Sequence, residues 1–238
     1  MGRRTSVAAP HLALNIMANQ QPLDGELPPG PWQGLLIQAF TILDDMQLHS
    51  GVADPFWTFG GGTVLMLRYA HRRSKDIDIF VPDPQYLGFV TPRLSDVAAA
   101  VSSDYVEAAG YVKLICKEGE IDFVAAPNLT SEAFETWTLF GRPTKVETAS
   151  EIVAKKLWHR GDMATARDLF DLALVIQKAP DTLQAAKPFL IRHRDVFLIQ
   201  LQQRQALLKA QFEAIDTMGF KPSFEEAYAI AERFLKRL

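Results

Sequence analysis

Ser74-Lys75-Asp76-Ile77-Asp78-Ile79-Phe80-Val81 is the stretch on which the reading of this chain turns. Acidic and aliphatic residues alternate from Asp76 to Val81, the period-two signature of a half-buried strand. Ile77 and Ile79 then face a core, which fixes the register and sends Asp76 and Asp78 to the other face. Two residues apart on a strand, their Cα atoms lie roughly 6–7 Å from one another. Two carboxylates on one face repel unless cations neutralise them. Hard oxygen donors so placed suit Mg²⁺, which accepts few protein ligands and keeps phosphates and waters for the rest.

Upstream stands Phe56 to Phe59, a short strand, then Gly60-Gly61-Gly62 as a loop and Thr63 to Arg72 as a helix. A glycine pair at a helix start leaves backbone N–H groups free to meet phosphate oxygens, and Thr63 adds a hydroxyl. By itself a Gly-Gly-Thr is most often a turn, and an Asp-x-Asp most often an exposed strand face. Joined by a helix of about three turns that runs back along a sheet, they meet at one edge. A third carboxylate is expected on a neighbouring strand, and Asp122, between Ile121 and Phe123, supplies it.

The remaining pattern places a helix at 32–49 and another at 94–101. Strands follow at 111–116 and 121–125, joined by a Lys117-Glu118-Gly119-Glu120 turn, with one more within 137–147. Beyond that, 149–160, 164–177, 182–217 and 223–238 all read as helical, with capping chemistry at Ser150-Glu151 and Ser223 to Glu226. The expected organisation is α+β: a flexible arm (1–31), a mixed-sheet domain with flanking helices (32–147) and a helical C-terminal domain (148–238).

The net charge of −3 hides an asymmetry. Residues 1–141 hold 9 basic and 16 acidic side chains, and residues 142–209 hold 12 basic and 7 acidic. This would suit a metal site beside a surface for polyanions, or be no more than scattered solvated charge. The single cysteine, Cys116, excludes an internal disulfide and a thiolate zinc site, and fits a reducing cytoplasm. No run of ~18–20 apolar residues is present to span a membrane. Arg3-Arg4 and the run from Val7 lack a signal peptide's uninterrupted core.

Phe59 to Arg68 together with His71 to Phe80 resembles the AbiEii/AbiGii toxin family, within the DNA polymerase β-type nucleotidyltransferase superfamily. The family's second motif, a helical lysine followed by Arg-Asp-x-x-Asp, has its counterpart in Lys156 (or its neighbour Lys155) and Arg167-Asp168-Leu169-Phe170-Asp171. The resemblance covers about residues 56–175. It implies a polymerase β-type mixed sheet, with Asp76 and Asp78 holding Mg²⁺ (or Mn²⁺). Gly61, Gly62, Thr63 and Ser74 would meet the triphosphate of an NTP and Lys156 its phosphates. Asp168 would complete the catalytic set as a base or an orienting group. Asp122 as third metal ligand comes from the wider superfamily. Arg68, Arg72 and Arg73 are close enough in sequence to reach phosphates, and Arg68 is taken as a nucleotide contact.

The implied reaction is NMP transfer from an NTP to an acceptor, RNA and in particular the 3′ end of tRNA, by a type IV toxin with a cognate antitoxin. Lys187, Arg192, Arg194, Arg204 and Lys209 would touch the RNA backbone or be plain helix surface. Two other readings compete: a small-molecule, antibiotic-modifying nucleotidyltransferase, and a catalytically silent RNA- or protein-binding module on the same fold. Without the first motif, Lys155-Lys156 would be a solvated helix edge and Arg167 with Asp171 an ordinary i,i+4 ion pair.

Overall fold

The computed structural model describes residues 27–238. The expected arm therefore lies mostly outside the described residues. Of its last positions, Leu27 is buried and the Trp32 indole donates to the Pro28 carbonyl at 2.8 Å, which docks this stretch on the body.

Helix α1 (Trp32–His49) is followed by β1 (Thr58–Gly60), α2 (Gly61–Tyr69) and β2 (Ile77–Val81). Next come α3 (Leu87–Val90), α4 (Asp96–Val101) and a meander of β3 (Tyr105–Ala108), β4 (Tyr111–Ile115) and β5 (Glu120–Ala125). The hairpin β6 (Phe134–Leu139) and β7 (Arg142–Glu147) closes the sheet-forming part. Helices α5 (Ala149–Arg160), α6 (Ala166–Lys178), α7 (Leu183–Leu190), α8 (Arg194–Gln203), α9 (Gln205–Glu213) and α10 (Phe224–Leu235) complete the chain.

The seven strands form one mixed sheet in the order β3-β4-β5-β2-β1-β7-β6. β2 lies between β1, antiparallel, and β5, parallel, so the Asp-x-Asp strand is central. Its burial alternates as the sequence predicts: Ile77, Ile79 and Val81 are fully buried, and Asp78 and Phe80 line the other face. The register sets Asp78 directly opposite Asp122 on β5 and opposite Gly60 on β1.

Several elements depart from expectation, among them α3, which the sequence reading did not include, and α2, which starts at Gly61 within the expected loop. The segment 137–147 is a full hairpin with 134–136, not a single strand, because Phe140 and Gly141 both take positive φ and turn the chain back. β3, an edge strand, went unread: three of its four residues are exposed, so it carries no alternating apolar signal. The predicted helix 182–217 is three helices, broken after Leu190 and again at Arg204.

The last of these breaks leads to a segment that bears on the site. Residues 216–219 run beside 70–73, with Arg73 N–H to the Asp216 carbonyl and Met218 N–H to the His71 carbonyl, both 2.8 Å. The C-terminal helices thereby brace the loop between α2 and β2. One continuous apolar core joins them to the sheet: Leu65, Phe170, Phe212 and Phe224 belong to the same buried cluster.

Candidate active site

The cleft of interest has a volume of about 350 Å³. Its sheet wall presents Asp76, Asp78, Phe80, Glu120, Asp122 and Val124, and its helix wall presents Ile152, Lys155, Lys156, His159 and Arg160 from α5. Gly61, Gly62, Arg72, Ser74, Glu147 and Arg167 also line it.

The first wall begins with Gly61, at φ +73°, a conformation that L-residues rarely adopt. A Cβ there would lie 1.8 Å from Asp78 Oδ2. The helix start and the acidic strand are thus in contact, and only glycine permits it. At Gly62 a Cβ would come within 2.6 Å of Arg72 Nη2 and 3.2 Å of Ser74 Oγ. The first N–H groups of α2 have no partner within the helix and carry its positive dipole end, so this corner is made for anions.

The carboxylates on this wall are poorly compensated. Burial, and after it the charge of Asp122, pushes the Asp78 carboxyl up to about 7. Asp122 is also raised by burial, against the pull of Lys113, and its Oδ1 is buried with no hydrogen-bond partner. Asp76 precedes β2, and its Oδ1 accepts the Glu120 N–H at 3.1 Å. Hard oxygens crowded in this way, one of them unbonded, fit a divalent cation.

Asp122 differs from the other two carboxylates in its surroundings. Among the described residues no group of three or more His, Cys, Asp or Glu side chains is placed to hold an ion by itself. Asp122 Oδ2 lies 3.3 Å from Lys113 Nζ, which also pairs with Glu120. Asp76 and Asp78 form no ion pair among the described residues, although Lys156 and Arg160 are near enough to draw the Asp78 carboxyl down against its burial; phosphate or water would supply the remaining ligands.

The helix wall is the opposite case. Asp171, fully buried, receives Arg72 through Nε and Nη2, both at 2.8 Å, His71 Nε2 at 2.9 Å and Lys156 Nζ at 3.0 Å. Burial opposes its charge, but Arg72 and Lys156 hold its carboxyl well below the ordinary range. Asp168 is N3 of a capping box with Thr165 and accepts from Lys156 at 2.9 Å and from Arg160. Against burial, Lys156 and then Arg160 bring it down to about 2. A proton acceptor needs a pKa near the working pH. Between the two expected roles of Asp168, its contacts with Lys156 and Arg160 favour the orienting one.

Two other expected contacts are corrected. Thr63 is fully buried and does not line the cleft: its hydroxyl bonds to the Asp76 carbonyl at 2.6 Å and to Ser74 Oγ at 3.1 Å, tying α2 to the acidic strand. Arg68 points away from the cleft. Its donors go to the Glu147 and Val146 carbonyls and to Glu135, and its guanidinium lies over Trp137. With its charge so engaged beside β7, it has nothing to offer a nucleotide. The i,i+4 pair Arg167–Asp171 does not form either, since Asp171 is taken by Arg72, His71 and Lys156 while Arg167 lines the cleft.

Several lining residues escaped the sequence reading. Arg160 and His159 follow Lys156 at i+4 and i+3, a helical spacing that would have found them once Lys156 was chosen. Lys155 is buried against Glu147 at 2.5 Å, with its Nζ 4.0 Å from the centre of the Phe80 ring. Nothing local marks Glu147 as a cleft residue, whereas Arg72, expected within reach of phosphates, does line the cleft.

With this geometry in view, residues 42–230 match the model of the nucleotidyl transferase AbiEii toxin family, type IV toxin–antitoxin system. The match reaches beyond the 56–175 expected and takes in the C-terminal helices. No curated protein matches the chain. Among solved structures, MenT4, a nucleotidyltransferase toxin of Mycobacterium tuberculosis, aligns at 17% identity and TM-score 0.46, over 87% of this chain and 85% of its own. A candidate nucleotidyltransferase of H. pylori aligns at 17% identity and TM-score 0.45, over 85% and 92%. JHP933 of Helicobacter pylori gives 16% and 0.46, over 87% and 90%. The family match carries the assignment. No helix among the described residues is long and apolar enough to cross a membrane.

Proposed function

This chain belongs to the AbiEii family of nucleotidyltransferase toxins of type IV toxin–antitoxin systems, and from that premise we propose that it moves NMP from an NTP to the 3′ end of an RNA, with tRNA the first acceptor to test. It acts in the cytoplasm and is restrained there by a cognate antitoxin.

The acceptor hydroxyl attacks the α-phosphorus in line, and pyrophosphate leaves. The Gly61 and Gly62 amides and the Ser74 hydroxyl receive the triphosphate at the start of α2. Asp76 and Asp78 would hold Mg²⁺ (or Mn²⁺), which when bound would neutralise the phosphate oxygens and favour the ionised hydroxyl. Lys156, fixed between Asp168 and Asp171, faces the charge that develops on the phosphates. Arg72 sits behind Gly62 and adds to the same field. Arg160 and Arg167, on the cleft wall, favour a polyanionic acceptor over a small cationic one.

The observation that carries this reading is the contact of the Asp78 carboxylate with Gly61, inside the same cleft that receives Lys156. Each of the four labelled NTPs is to be incubated with Mg²⁺ and either total tRNA or an aminoglycoside panel. We expect label on tRNA, lost in Asp76→Ala. Label on the aminoglycosides instead would make this a small-molecule enzyme. Equal growth arrest by wild type and Asp76→Ala would mean that catalysis is not the activity.

A further inference from the structure

A single row of residues crosses the sheet beneath the cleft. Lys113 on β4 pairs in register with Asp122 on β5, Asp122 with Asp78 on β2, and Asp78 with Gly60 on β1. Register partners project to the same face, so this row reads cation, carboxylate, carboxylate, glycine. The order is forced by burial: Val112 and Leu114 are sunk in the core, which leaves Lys113 no other side to face. Its ammonium is shared between Asp122 Oδ2, at 3.3 Å, and Glu120. Two of the acidic residues on the sheet wall are therefore ion-paired with a covalently attached cation, while Asp76 and Asp78 form no ion pair among the described residues.

Resting on the nucleotidyltransferase reading above, we infer that Lys113 is the resident second positive charge of this site, so that the cleft takes one divalent cation, at Asp76 and Asp78, where three free carboxylates would invite two. Lys113 acts through Asp122 and touches neither nucleotide nor acceptor, so it is a positioning residue. A tethered ammonium offsets part of the Asp122 charge and does not leave the site with product. It also limits Asp122 to its one unbonded oxygen, Oδ1. At this range a unit charge changes the affinity of a neighbouring dication by an order of magnitude or more.

The test counts Mn²⁺ bound by the full chain, from the electron paramagnetic resonance of the free ion, alongside thermal melting to confirm folding. Wild type is expected to bind one Mn²⁺. Lys113→Arg keeps that number and affinity. Lys113→Ala gains a second ion or binds the first at least about tenfold more tightly. Asp122→Asn, which leaves the ammonium uncompensated, weakens binding by about tenfold, and the double variant Lys113→Ala/Asp122→Asn recovers wild-type affinity. Two ions in the wild type overturn the inference, as does Mn²⁺ binding in Lys113→Ala equal to wild type, whatever the melting temperature does. Failure of the double variant to recover also overturns it, because Asp122 is then a direct ligand. If Asp76→Asn and Asp78→Asn both leave Mn²⁺ binding intact, it is the functional reading that fails instead.

Discussion

Two pairs of aspartates face each other across the cleft, and the protein treats them oppositely. On the sheet, Asp78 and Asp122 lie side by side and both are raised, Asp78 to about 7. On the helices, Asp168 and Asp171 are both lowered, because Lys156, Arg160 and Arg72 surround them. Burial raises all four carboxyls, so the neighbours decide. The helical pair is complete within the protein and serves to aim cations at the cleft. The sheet pair has only Lys113 as an ion-pair partner, at Asp122, and the rest of the positive charge is what the proposed metal–nucleotide complex would bring. Stability is concentrated in one wall and ligand affinity in the other.

If this division is right, Asp78→Asn separates the two. Transfer activity is expected to fall by about a thousandfold or more, while the melting temperature of the metal-free protein holds or rises, since a destabilised charge has been removed. A melting temperature that drops sharply would show that the sheet pair is structural after all. Asp171→Asn should do the reverse in stability: it strips a nearly inaccessible Arg72 and a partly buried Lys156 of their shared carboxylate. Breaking such a buried cluster costs about 3–5 kcal/mol, to be read by urea unfolding.

Acid titration sharpens the contrast. The Asp168 carboxyl is lowered from 3.8 to about 2 in the folded chain, so the unfolded state binds the extra proton between those values. Its contribution, about 2 kcal/mol, is fully present above the unfolded pKa and disappears as pH falls through the folded one. Unfolding of wild type and Asp168→Asn should therefore converge as pH drops from about 4 to about 2, with a gap that stays constant above that window. The smallest effect is expected at Arg68. Arg68→Met should leave transfer within about twofold of wild type and cost about 1–2 kcal/mol from the lost bonds to β7. A transfer defect of tenfold or more would return Arg68 to the nucleotide site.

How far the site was legible varied with the range of the interaction. The Asp76–Asp78 strand and the Gly61-Gly62 helix start were readable because alternation and glycine spacing are local consequences of backbone geometry. Lys156 and Asp168 came from the family resemblance, and their mutual contact is a matter of α5 packing on α6. Thr63 and Arg68 were misjudged because both lie on the helix that the glycines open but point elsewhere: a helix turns each successive side chain by about 100°, so residues of one helix need not share a face.

The sequence by itself determined the central acidic strand, its facing, the helix start beside it and the all-helical character of the C-terminal part, because these depend on residue spacing within single elements. Only the tertiary structure decided which carboxylates are compensated. Lys113 reaches Asp122 across a strand pair, and Arg72 reaches Asp171 across 99 residues of chain. A charge takes its meaning from what stands within a few ångströms of it, and the order of residues along a chain does not contain that distance.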